Sequence, residues 1–95
     1  MIQIDAATSV SRDNNLLFSS VDSELVIFQI SKSAYFSLDK VGTDIWLRLE
    51  EPVIVSVLCD ALADEYDADR ADIERDVLAL LNEMYVADLI IPQQP

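Results

Sequence analysis

The sequence predicts an α+β fold in which a three-stranded antiparallel sheet is followed by a three-helix, winged-helix-like unit. Residues 16–38 are β-rich runs separated by short polar turns, whereas from Asp39 onward apolar residues recur every three or four positions. The two periods meet inside Ala34-Tyr35-Phe36-Ser37-Leu38-Asp39-Lys40-Val41-Gly42-Thr43-Asp44-Ile45-Trp46, which passes from strand-like aromatic alternation straight into a helix.

Residues 1–15 are mixed and polar and end in Arg12-Asp13-Asn14-Asn15, so they read as a loosely held arm running into a turn. Residues 16–20 and 24–30 form two strands joined by Val21-Asp22-Ser23, and Ser31-Lys32-Ser33 turns the chain into a third, Ala34–Leu38. Alternation sends Phe36 and Leu38 to one face and Tyr35 and Ser37 to the other. Asp39 is placed to cap the first helix, where Val41, Ile45 and Leu49 recur at a spacing of four beside Trp46, and Glu51-Pro52 ends it. The second helix, Val55–Tyr66, has Val55, Leu58, Leu62 and Tyr66 on its inner face. Asp69 caps the third, whose stripe is Ile73, Val77, Leu80, Leu81 and Met84. Residues 89–91 suit a short closing strand stopped by Pro92.

Composition narrows the function. Ninety-five residues make one domain, and an apolar fraction of 52% with a single glycine is that of a folding chain. Eighteen acids against six bases give a net charge of −12, which repels nucleic acid and anionic membrane alike. The third helix turns mostly acids outward, the opposite of a DNA-recognition helix. One cysteine, Cys59, excludes an internal disulfide, and no apolar run is long enough to span a bilayer; a cytoplasmic protein is expected. There is no histidine, which removes the usual general base and metal ligand. Asp67-Ala68-Asp69-Arg70-Ala71-Asp72 superficially resembles a calcium loop, but Asp72 stands where the loop needs glycine and Leu78 where it needs glutamate. With Gly42 the only glycine, no loop can cradle phosphate. Neither cofactor, metal nor catalysis is expected.

What remains is the edge of the third strand, whose open backbone groups can template a strand from another chain. The order and spacing of Tyr35-Phe36-x-Leu38-Asp39-x-Val41-Gly42-x-x-Ile45-Trp46-x-x-Leu49, Ala61-Leu62-Ala63-x-Glu65-Tyr66 and Asp76-Val77-Leu78-x-x-Leu81-x-x-Met84 resemble the PqqD-like family, over about residues 16–91. Its members are recognition elements for ribosomally made, post-translationally modified peptides. The resemblance implies three strands plus three helices, and a precursor's leader segment added beside the third strand in a cleft bounded by the third helix. It makes Ala34, Tyr35, Phe36, Ser37 and Leu38 the strand that receives the leader. On the third helix the flank carrying Asp72, Asp76, Ala79 and Glu83, with Leu80 beside it, is the favoured wall, Ala79 leaving room for a side chain, with the flank carrying Glu74, Leu78 and Tyr85 as the alternative; the same acids suit a solvated face equally well. Implied partners are a leader peptidase and a cyclase of lasso-peptide maturation, or a radical enzyme as in pyrroloquinoline quinone biosynthesis. A winged-helix regulator acting by protein contacts is the competing class. The family usually has asparagine at Asp39, Ser or Thr where Ile54 stands, and glycine where the third helix ends at Asp88.

Overall fold

Two three-stranded antiparallel sheets frame the helices in the computed structural model, which describes residues 4–22 and 24–93. In chain order the elements are β1 (Ser9–Arg12), β2 (Leu17–Val21), β3 (Glu24–Gln29), β4 (Ala34–Leu38), α1 (Lys40–Arg48), β5 (Val53–Ile54), α2 (Val55–Tyr66), α3 (Arg70–Val86) and β6 (Ile90–Gln93). One sheet runs β2-β3-β4 and is the expected meander; the other runs β5-β1-β6 and was not expected.

The meander is built from adjacent hairpins. Val21 pairs with Glu24 across a turn in which Asp22 is left-handed (φ 57°), and a 3-10 turn at Ile30–Lys32 followed by left-handed Ser33 (φ 49°) leads into β4. Leu25, Ile27 and Gln29 of β3 point into the core, as do Phe36 and Leu38 of β4, while Tyr35 and Ser37 face out.

The N-terminal segment is not a loose arm. Ile4 and Val10 are buried, β1 is the central strand of its sheet, and the Arg12 and Asp13 N–H groups donate to the Leu49 and Leu89 carbonyls at 2.9 and 3.0 Å. Only four residues long, β1 is too short for alternation to stand out among polar neighbours, so its partners reveal it. Residues 1–3 of the expected arm, and Ser23 of the expected first link, lie outside the described residues. Pro92 likewise does not stop β6: it pairs with Val10 inside the strand, which a proline tolerates because β6 is an edge.

The helices begin and end by distinct devices. Asp39 Oδ1 accepts the Gly42 N–H at 2.8 Å, and Asp69 Oδ1 accepts those of Ala71 and Asp72 at 2.9 and 3.3 Å. Ile54 offers α2 no side-chain cap; instead the Thr8 and Ala6 carbonyls accept the Val55 and Ser56 N–H groups, each at 2.9 Å. After α3, Asp88 takes the left-handed conformation (φ 62°) where the family usually has glycine, and the Leu89 N–H closes the end on the Met84 carbonyl at 2.9 Å.

Trp46 lies at the centre, fully buried, with Phe18 edge-on at 5.8 Å between ring centroids and the Arg12 guanidinium 4.8 Å from the Phe18 ring. Val55, Leu58, Leu62, Val77, Leu81 and Met84 supply the inner faces of α2 and α3. Tyr66, expected among them, is instead at the surface, its hydroxyl donating to Asp44 Oδ2 at 2.8 Å. Cys59 is a buried structural thiol whose pKa is pushed up by desolvation, so it is not a nucleophile poised at neutral pH.

Candidate functional site: the groove between β4 and α3

The open edge of β4 is set by parity along the meander. Val21 and Glu24 close the first hairpin as a hydrogen-bonded pair, so the backbone groups of Glu24, Val26 and Phe28 face β2 and those of Leu25, Ile27 and Gln29 face β4. The register then bonds Ala34, Phe36 and Leu38 to β3, through the pairs Gln29–Ala34, Ile27–Phe36 and Leu25–Leu38. Tyr35 and Ser37 are left with N–H and C=O groups directed away from the sheet, and no strand among the described residues takes them. Five residues without proline, glycine or charge make a regular template.

Two cavities lie along this edge. The larger, about 680 Å³, is floored by Leu38, Val41, Gly42, Ile45 and Leu62 and walled by Ile73, Asp76, Val77 and Leu80 of α3, with Asp39 and Tyr66 at its mouth. The smaller, about 460 Å³, lies between Tyr35, Phe36 and Ser37 on one side and Glu83, Met84, Ala87 and Leu89 on the other. Both are lined by Ser37, Leu38 and Leu80, so they read as one groove with two deep points. Gly42 packs tightly at the edge of the larger one: a Cβ there would lie 3.3 Å from Asp39 Oδ1 and from Leu38 Cβ. At the far end, Gln29 Nε2 donates to the Ala87 carbonyl at 3.1 Å and Lys32 pairs with Asp88, fastening the end of α3 to the meander.

The expected residues divide cleanly. Tyr35, Phe36, Ser37, Leu38, Asp76, Leu80 and Glu83 line the groove. Ala34 belongs to β4 but lines neither cavity, and Tyr35 is 73% exposed with its ring tilted against Phe28 at 5.5 Å. Asp72 and Ala79 also line neither; Asp72 pairs with Arg75 at 3.2 Å and Ala79 is exposed. The room attributed to Ala79 therefore lies one position on, around Leu80, because the helix presents its Ile73, Asp76, Val77, Leu80, Met84 and Ala87 face to β4. Ile73, Val77 and Met84 of the α3 stripe, and Val41 of the α1 stripe, line the groove as well, and Val41 is 44% exposed. A stripe wider than the core needs was the available signal.

The arrangement can hold an extended chain: its backbone would bond to Tyr35 and Ser37, and alternate side chains would drop into the groove. Among the described residues there is no group of three or more His, Cys, Asp and Glu side chains placed to hold a metal ion, and no helix is long and apolar enough to cross a membrane. The fold sets an open strand edge beside a groove of a width that suits an extended chain. The family model described as coenzyme PQQ synthesis protein D (PqqD) matches residues 24–90, and the chain belongs to that family. Among solved structures it is similar to "TbiB1 in Complex with the TbiA(beta) Leader Peptide", with a TM-score of 0.79 and 29% identity, covering 90% of this chain and 99% of that one. No curated protein sequence matches the chain.

Proposed function

We propose that this protein is a non-catalytic adaptor that binds the leader segment of a ribosomally made precursor peptide by strand addition to β4 and delivers it to modifying enzymes. The observation that carries this reading is the unpaired edge of β4 beside an apolar groove, in a chain similar over nearly its whole length to a protein solved with a leader peptide. Backbone bonds at Tyr35 and Ser37 contribute roughly 0.5–1.5 kcal/mol each. Micromolar affinity needs about 8 kcal/mol, so side chains filling the groove supply most of it. Lasso-peptide maturation, with a leader peptidase and a cyclase as partners, is the pathway we favour. A radical enzyme of pyrroloquinoline quinone synthesis is the second, favoured by the name of the matching family model.

Isothermal titration with the leader of the precursor encoded beside this gene tests the reading. Saturable one-to-one binding that Ser37→Pro weakens by up to about tenfold is the expected outcome, and failure of that leader to bind the parent overturns it. Purified protein that cleaved or modified the precursor unaided would overturn the non-catalytic half.

A further inference from the structure

The groove is one-sided in charge as well as in shape. No lysine or arginine lines either cavity, whereas Asp39, Asp76 and Glu83 stand along them. Asp39 has one carboxylate oxygen committed to the Gly42 N–H. Among the described residues Asp76 is met only by Arg75, at 3.4 Å, and Arg75 also bonds Asp72. Glu83 has no ion-pair partner among the described residues. The whole chain adds a field of net charge −12 behind these groups.

Resting on the strand-addition reading, we infer that the segment this groove accepts is cationic, with apolar side chains at alternate inward positions and Lys or Arg heads placed against Asp76 and Glu83. The two acids are two helical turns apart, about 10.5 Å, a distance an extended chain covers in about three residues. A Lys or Arg stem can lie along the apolar wall made by Leu80 and Val77 and keep its charged head at the rim. An acidic peptide of identical shape meets the same carboxylates as like charges and is rejected. Precursors are thus sorted by the sign of their charge as well as by fit.

The test is a random-sequence peptide library displayed on phage and selected on the immobilised full chain. Selected peptides are synthesised and titrated against the parent, Ser37→Pro and the double variant Asp76→Asn, Glu83→Gln, with circular dichroism on each. The inference expects Lys and Arg enriched in the selected peptides. It expects affinity to fall about three- to tenfold in the double variant, as for two exposed ion pairs. It also expects weakening as salt rises from about 0.1 to 1 M, where the Debye length shrinks from about 10 to 3 Å. Peptides that lose binding in Ser37→Pro but carry no excess of cations, or that bind the double variant unchanged, overturn this inference and leave strand addition standing. Peptides indifferent both to Ser37→Pro and to a groove-filling Leu80→Arg, or no selection at all, overturn strand addition and the inference together.

Discussion

The two sheets of this small protein treat their edges in opposite ways. In β5-β1-β6 one edge strand is only two residues long and the other carries Pro92, so neither invites a further strand. In β2-β3-β4 the β4 edge is five regular residues with outward N–H and C=O groups at Tyr35 and Ser37 and a groove beneath them. The first sheet joins segments from both ends of the chain and from its middle around buried Val10; the second is a local meander. On the proposed strand-addition reading, holding the chain together and meeting a partner fall to different sheets.

If that division is right, damage at the junction of the sheets should cost folding. Trp46 is fully buried between Phe18 of the meander and Arg12 of β1. Trp46→Ala should cost about 3–5 kcal/mol, a large part of a small domain's stability. Urea denaturation reads this directly, and a midpoint close to the parent's would mean that the junction does not hold the sheets.

Within β4, parity separates binding from folding one residue at a time. The Ser37 N–H faces away from the sheet, so Ser37→Pro should melt near the parent temperature yet bind a leader up to about tenfold more weakly, while Ser37→Ala binds normally. The Phe36 N–H faces β3, so Phe36→Pro should lose at least ~1 kcal/mol of stability. A larger loss of stability in Ser37→Pro than in Phe36→Pro would show that the bonded and open positions are assigned the wrong way round.

The meander and the helices were legible because their periods are long enough to see. β3 spans six residues with alternate burial, and α3 repeats its stripe over seventeen. The second sheet was not legible: β5 is two residues and β1 four, and Ser9 finds its partners at Ile54 and Gln93. Nothing local in the sequence encodes pairings of that range. The groove was half legible for a related reason. The strand side follows from alternation, but the helix side depends on how α3 is rotated against β4, which leaves Asp72 and Ala79 off the wall and sets Ile73 and Val77 beside the expected Leu80. The missing cap at Ile54 was visible as a departure, but the chain that replaces it was the supposed arm.

Smaller substitutions sharpen the contrast between helices that cap themselves and one capped by β1's approach. Asp39→Ala removes the acceptor of the Gly42 N–H at the junction of β4 and α1 and should cost about 1 kcal/mol. Asp39→Asn, which keeps an acceptor, should restore most of it. Chemical denaturation of the pair is the check, and an unaffected alanine variant would show that the cap contributes nothing to the start of α1.

The smallest effect is expected at Ile54, where the sequence alone suggests the largest gain. A serine at an uncapped helix start ordinarily stabilises by bonding the second or third N–H of the first turn. Here the Ser56 N–H is already held by the Ala6 carbonyl and the Val55 N–H by the Thr8 carbonyl, each at 2.9 Å. That leaves Val57 as the one remaining donor such a serine could serve. Ile54 is itself 46% exposed, so its removal gives up little burial. Ile54→Ser should therefore lie within about 0.5 kcal/mol of the parent, against the ~1 kcal/mol typical of a newly made cap. A gain of the full amount in urea denaturation would mean that bonding the Val57 N–H alone restores a complete cap, and that the Ala6 and Thr8 carbonyls contribute little to the start of α2.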